Sequence, residues 1–479
     1  MQAGTATTTD IPISDNPGPL SIRSASGHPL TTAQSLKMLW TGILYYNIAS
    51  CIFVPLGIIS HLLKWGDVPT FVLNVLAIMP LAKMLDYCTD QLSMQIGETL
   101  GGLLNATMGN AVELIVGVLA LKGDELRVVQ ASLIGSMLSN MLLVLGLCFL
   151  CGGLFPYRKN GYQKFDVDKS NVNNGLLTVV ILGFIVPTAF NMTLQETDTQ
   201  SILSISRGTA TVLLVTYVAF LVFQLSTNPD GNLVTPADMK KEALALAEPD
   251  SPVAELTVVN TRHNMIRGLS FNSNTSLGTT PSRNTPRPSL RVIRDPSFHS
   301  VARTPTYHSA ARKSLKERQD EEDVPEVLGW IAMVALLVTT VVIGVCAEFL
   351  VDSLDGLSAK AGLSKTFIGI IILPIVGNAA EHVTAVSAAM RNKMDLVIAV
   401  AVGSSMQIAL LVTPVLVLVG WMMGKELTLD FELFETAVLF VSIFVVSTLI
   451  ADGKTNWLEG WMLLASYTII SVAFFFVKD

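Results

Sequence analysis

Two carboxylates stand at matched positions in an otherwise apolar sequence. Gly109-Asn110-Ala111-Val112-Glu113 recurs in the second half of the chain as Gly377-Asn378-Ala379-Ala380-Glu381, and Gly135-Ser136 recurs as Gly403-Ser404 at the same offset. Each copy sets one acid where an acid is expensive: a charge at the centre of a bilayer costs roughly 3 kcal/mol on insertion scales. Two such costs in the same local setting point to charges that act together. Separately buried and satisfied glutamates, with glycines that merely allow tight packing, are the plainer explanation of one copy. They are a poor explanation of two copies in register.

The neighbouring residue types say what chemistry such a pair could do. On a helix Asn110 and Glu113 share a face, as do Asn378 and Glu381, Ser136 and Asn140, and Ser404 and Gln407, since residues three or four apart are neighbours there. Gly109-Asn110 and Gly377-Asn378 are poor helix formers, and Pro374 precedes the second pair. Both helices are therefore expected to break at these points, and irregular backbone at membrane depth is tolerated where it is buried in protein or lines a wet cavity. Carboxylates, amides, hydroxyls and freed carbonyls give an all-oxygen site. Such a site suits a hard divalent cation; calcium takes six to eight oxygens in a flexible cage. Manganese satisfies the same reasoning. No thiolate or imidazole cluster favours zinc or copper, and Cys148-Phe149-Leu150-Cys151 lacks the second pair a zinc site needs. His382 packs beside the site or handles protons. Asp90 and Glu348, at the ends of matching apolar runs, serve as waystations for ions or as solvated helix ends. No resident cofactor and no nucleic-acid partner are expected.

Two carboxylates close together in a dry cavity do not readily both ionise without a cation. Calcium and protons would compete for one coupled pair. A centre holding neither would be too costly to reorient, so the site would change sides loaded with calcium or with protons, which is exchange.

The elements that position this pair must be membrane helices. The 479-residue chain is 51% hydrophobic and only 14% charged, against roughly 25% charged in soluble domains. Residues 128–157 and 396–424 contain no Asp, Glu, Lys or Arg. About 20 apolar residues cross a bilayer as a helix, and long continuous runs argue against a barrel. Eleven spans are expected, near 40–63, 69–89, 98–121, 126–151, 175–192, 204–225, 327–350, 366–390, 395–421, 432–451 and 457–477. With the first set aside, two sets of five remain, and an odd number inverts the second copy relative to the first. That is the inverted-topology repeat of many secondary transporters. The fold expected is an all-α polytopic membrane protein: one N-terminal helix plus two inverted five-helix repeats.

The organisation then reads as a polar cytosolic tail at 1–38, a first transmembrane helix at 39–65, a first repeat at 66–225, a linker at 226–325 and a second repeat at 326–479. The tail lacks the pattern of a cleaved signal peptide, so the first span would serve as the targeting signal. Arg158, Lys159, Lys164 and Lys169, the 13 Lys/Arg of the linker, and Arg391 with Lys393 all fall on one side, which the positive-inside rule makes cytosolic. Glu196 and Asp198 mark the opposite side. Lys122, Arg127, Lys360 and Lys365 go against the trend but sit beside acids. The termini are thus expected to lie N-in and C-out. The linker is rich in Ser, Thr, Pro and Arg and should be mostly disordered, ending in an acidic stretch at 316–323. Ser289 and Ser314, each beside basic residues, are candidate kinase sites, where a phosphate could pin or release the loop; a passive linker explains them equally well.

The run Gly101-Gly102-Leu103-Leu104-Asn105-Ala106-Thr107 into Gly109-Asn110-Ala111-Val112-Glu113 resembles the first repeat of the calcium/proton exchanger family, within the cation/calcium exchanger superfamily. Pro374 followed by Gly377-Asn378-Ala379-Ala380-Glu381-His382 and Gly403-Ser404-Ser405-Met406-Gln407 resembles the second. Fungal vacuolar members look most similar. The resemblance implies an eleven-helix antiporter that moves cytosolic calcium into a vacuole or similar acidic store against protons. It puts the paired acids on Glu113 and Glu381, ligands and pore residues on Asn110, Asn378, Ser136, Ser404 and Gln407, and helix-end acids on Asp90 and Glu348. The linker looks longer than a compact member needs.

Two other functions use similar parts. A sodium/calcium exchanger would need further oxygen ligands beside the glutamates and would follow sodium rather than ΔpH. A calcium channel would use a ring of acids, usually from several subunits, and would pass calcium without moving protons in return.

Overall fold

The computed structural model describes residues 31–96, 98–154, 162–193, 199–227 and 325–478. Arg158, Lys159, Glu196, Asp198, Ser289, Ser314 and the acidic stretch lie outside the described residues.

The first part of the chain forms α1 (Thr32–Thr41), α2 (Leu44–Leu62), α3 (Asp67–Ser93), α4 (Glu98–Met108), α5 (Ala111–Lys122), α6 (Leu126–Leu138), the π-helical segment π1 (Ser139–Val144), α7 (Leu145–Leu154), β1 (Tyr162–Lys164), α8 (Val167–Thr193) and α9 (Thr199–Thr227). The second part forms α10 (Gly329–Asp352), α11 (Leu354–Ala361), α12 (Lys365–Phe367), π2 (Ile368–Ile372), α13 (Leu373–Gly377), α14 (Ala379–Met390), α15 (Met394–Gln407), π3 (Ile408–Val412), α16 (Thr413–Met422), α17 (Leu433–Ile450), β2 (Lys454–Asn456) and α18 (Trp457–Phe476).

Among the described residues, nine helical stretches are long and apolar enough to cross a membrane, and each coincides with an expected span. The bent pair α11 with α12–π2–α13, turned by 114°, raises the number to ten if it counts as one span. The two remaining expected spans, near 98–121 and 366–390, are each divided in two, and the breaks fall at Asn110 and Asn378. The backbone there leaves the helix at φ −113°, ψ 26° and φ −91°, ψ 7°. Among the described residues, nine continuous spans, or ten with the bent pair, thus stand against the eleven expected.

Burial ranks the helices. The stretches Leu126–Leu154 and Met394–Met422 are 83% and 78% buried, against 22% for Thr199–Gln224 and Trp457–Phe476. The two charge-free stretches of the sequence are therefore the central pair, and the outer helices expose apolar side chains such as Val215, Leu337 and Ile469. Lipid tails are as apolar as leucine, so close packing rather than water expulsion draws membrane helices together, and small residues favour it. Gly460 of α18 shows this. A Cβ there would sit 2.7 Å from the Gly146 carbonyl oxygen of α7.

Two features lie outside the expectations. A short helix, α1, precedes the first span and starts with a capping box of Thr31 and Gln34; Asn47 Nδ2 donates to the Leu39 and Trp40 carbonyls near its end. β1 and β2 pair antiparallel, Tyr162 with Asn456 through Lys164 with Lys454, and so tie a loop of the first repeat to one of the second.

The four basic residues that run against the charge pattern are all ion-paired. Lys122 meets Glu348 at 2.8 Å, Lys365 meets Glu125 at 2.8 Å and also Asp355, Lys360 meets Asp67 at 2.6 Å, and Arg127 meets Glu432 and the buried Glu435. Lys425 joins them through Asp124. Most of these partners come from the opposite repeat.

Candidate functional site

Each broken helix presents two ends. α4 and α13 stop at Met108 and Gly377, and α5 and α14 start shortly after with Glu113 and Glu381 in their first turns. A helix C-terminus carries partial negative charge and suits a cation, while an N-terminus stabilises a carboxylate in its ionised form. The breaks thus set a cation-attracting helix end close to a glutamate side chain.

The central helices face these breaks with their polar residues. Asn110 Nδ2 donates to Gln407 Oε1 at 2.6 Å, and Ser404 Oγ donates to Asn110 Oδ1 at 3.1 Å. Asn140 Nδ2 donates to Ser404 Oγ at 3.2 Å, and Asn378 Nδ2 donates to Asn140 Oδ1 at 3.3 Å. Ser404 Oγ also lies 3.5 Å from Glu381 Oε2. One network therefore runs from the first break to the second and crosses between repeats at Asn110–Gln407, Asn110–Ser404, Asn140–Ser404 and Asn378–Asn140. Asn110, Asn378, Ser136, Asn140 and Ser404 are buried.

Glu113 faces a cavity between the two repeats, which it lines with Ser132 and Ser136 of the first repeat and Pro374 and Gly377 of the second. Its Oε1 lies 3.5 Å from where a Gly377 Cβ would stand, and Gln407 Oε1 lies 4.0 Å from the corresponding point at Gly109. Each motif glycine thus faces a polar oxygen of the other repeat. Glu381 is reached through the Ser404 network and is not among the residues that line the Glu113 cavity.

The remaining expected residues separate into two groups. His382 Nε2 lies 3.4 Å from Ser139 Oγ, beside the network. Glu348 is engaged with Lys122 at an exposed position, and Asp90 lies in the last turn of α3. Ser139 and Ser132 are site neighbours that sequence reasoning missed. Ser139 stands before Gln407 by the same offset that separates the two copies of the repeated phrase, so the repeat register itself would have found it.

No three His, Cys, Asp or Glu side chains converge as a metal cluster among the described residues. The five cysteines are free thiols.

A mostly helical membrane fold with two matched, interrupted helices around a shared polar centre belongs to the class of repeat-built transporters. Residues 67–226 and 331–476 match the model of the sodium/calcium exchanger protein family, and the chain belongs to that family. It is 39% identical to the vacuolar calcium ion transporter of Schizosaccharomyces pombe, over 90% of this chain and 85% of that one. It is 36% identical to vacuolar cation/proton exchanger 5 of Arabidopsis thaliana, over 89% and 80%. Among solved structures, native YfkE matches with a TM-score of 0.62 at 29% identity, covering 90% of this chain and 99% of that one. The H+/Ca2+ exchanger CAX shares the fold, with a TM-score of 0.55 at 13% identity, covering 91% and 93%.

Proposed function

We propose that this protein is a calcium/proton antiporter that moves cytosolic calcium into an acidic store by alternating access. Glu113 and Glu381 take calcium or protons in turn. The observation that carries the reading is the hydrogen-bonded network joining the two interrupted helices across the repeats, with a glutamate beside each break. Asn110, Asn378, Ser136, Ser404 and Gln407, with backbone oxygens at Gly109 and Gly377, complete the oxygen set. Relatives named as vacuolar transporters and exchangers support a vacuolar membrane, and the charge pattern supports a cytosolic N-terminus and a lumenal C-terminus. Manganese, a hard cation of similar demands, is admitted by the same oxygens. Kinase action on Ser289 and Ser314 of the central segment belongs to the same proposal.

Calcium uptake by purified protein in proteoliposomes tests the reading. An imposed pH gradient, acid inside, should drive uptake with no sodium present. Uptake that follows a sodium gradient and ignores ΔpH would instead make the protein a sodium/calcium exchanger. Calcium flux with no counter-movement of protons would make it a channel.

The network yields a graded prediction. Asn140→Ala removes the bridge between Ser404 and Asn378 and leaves buried polar atoms without it, at a cost of about 1–3 kcal/mol. Calcium affinity, read from the half-saturating concentration for uptake, should weaken roughly tenfold, since about 1.4 kcal/mol is a factor of ten. An unchanged half-saturation would remove Asn140 from the site.

A further inference from the structure

The two repeats are closed to different degrees, and the difference is legible at paired glycines. Gly135 on α6 and Gly403 on α15 are equivalent positions of the two repeats. A Cβ on Gly135 would lie 2.6 Å from the Ile370 Cα of π2, also meeting that residue's carbonyl oxygen, so only hydrogen fits there. Among the described residues, a Cβ on Gly403 would meet nothing within 4 Å. Burial agrees: Gly135 is buried and Gly403 only partly so.

The partner surfaces repeat the contrast. Gly369 of π2 packs on α6, where its Cβ would stand 2.6 Å from the Ala131 Cβ and 3.3 Å from the Val128 carbonyl oxygen. Four residues, Ala131 and Gly135 on α6 and Gly369 and Ile370 on π2, thus form a closed seam. The repeat offset carries them onto Ala399, Gly403, Gly101 and Gly102. This second set is as small as the first, yet it is not assembled. Gly101 of α4 lies instead against α3, where its Cβ would be 3.0 Å from the Ser93 carbonyl carbon, and Asn105 Nδ2 donates to Ser93 Oγ at 3.1 Å.

Packing does not require a glycine at 403 in this conformation, and helix propensity disfavours one, since glycine is a poorer interior helix residue than alanine. We propose that Gly403 is kept bare for another conformation, in which α4 leaves α3 and seats Gly101 and Gly102 against Ala399 and Gly403 of α15. That closes the α4 side, while the α6–π2 seam opens the other. The described structure is then the state in which the α4–α15 seam is unpacked, on the side that the charge pattern makes cytosolic. Gly403 needs no contact with the cation. Its task is to let backbone approach backbone at the moment the site changes sides.

The proposal rests on the exchanger reading, and one experiment separates the two. In proteoliposomes under an acid-inside pH gradient, Gly403→Ala should lower calcium uptake at least tenfold. Its calcium binding in detergent, by titration calorimetry, should stay within twofold of the wild type, and its melting temperature should hold or rise. Gly403→Val should behave likewise with a larger loss of uptake. Uptake by Gly403→Ala within twofold of the wild type overturns the proposal. So does a loss of uptake matched by an equal loss of calcium binding, which would place position 403 in the ion site. Failure of the wild-type protein to take up calcium under ΔpH is a different result and overturns the exchanger reading itself.

Discussion

Glu113→Gln is expected to give a protein that folds and carries no calcium. Glutamine keeps the shape and hydrogen-bonding reach of glutamate and removes only the charge. Two unit charges about 4 Å apart interact by roughly 4 kcal/mol at the effective dielectric of a protein, and a divalent ion doubles that. The loss far exceeds the factor of ten in affinity that about 1.4 kcal/mol represents. The substitution also removes a site where calcium and a proton exclude one another, so coupling goes with binding. Glu381→Gln should behave the same way, because Glu381 meets the network through Ser404 as Glu113 meets the second repeat at Gly377. The measurement is ΔpH-driven calcium uptake in proteoliposomes, with gel filtration in detergent as the control for folding. Uptake above a tenth of the wild-type rate in either variant would refute a shared site for the two acids.

The largest effect on stability is expected at Arg127. Its guanidinium lies between Glu435, whose side chain is fully buried, and Glu432 at 3.0 Å, and its Nε donates to Thr366 Oγ1 at 3.2 Å. Three elements, α6, α12 and α17, therefore meet on one side chain. Arg127→Ala would strand the Glu435 carboxylate in a buried position. Breaking a buried pair by removing one partner costs about 3–5 kcal/mol. Thermal unfolding in detergent should show a fall of that size. The double variant Arg127→Leu with Glu435→Leu should recover most of it, because replacing both members of a buried pair by apolar groups is often neutral. A single variant as stable as the wild type would mean that water already reaches Glu435.

The carboxylate of Glu435 carries no signal in the sequence. It lies at the start of an apolar run, where an acid reads as a solvated helix end, and its partner is 308 residues away. The repeated phrase is legible because both copies are local, and the register needs no knowledge of contacts. The breaks at Asn110 and Asn378 follow from Gly-Asn within apolar helices. Span positions follow from hydropathy, which reports length and composition and little else. Three π-helical segments have no such signal: π1 and π3 occupy matching places in the two central helices, π1 taking in Ser139 and Asn140 and π3 starting just after Gln407, while π2 has no counterpart in α4. A shift of hydrogen bonding by one residue changes neither composition nor charge. Proline is a weak guide as well. Pro55, Pro80 and Pro187 lie inside continuous helices, which membrane surroundings tolerate because neighbours can satisfy the freed groups. The β1–β2 pairing joins two three-residue segments from distant loops, too short to carry a strand pattern.

The ion pairs that join the repeats also set an order of events in biosynthesis. Lys122, Asp124, Glu125 and Arg127 leave the ribosome together, but their partners Glu348, Lys425, Lys365 and Glu435 follow 226, 301, 240 and 308 residues later. At about 5–20 residues per second, the nascent first half waits between roughly ten seconds and a minute before these pairs between the halves can form. Much of that interval is spent translating the polar segment between the halves. The ion pairs between the halves are therefore among the last contacts the chain can complete.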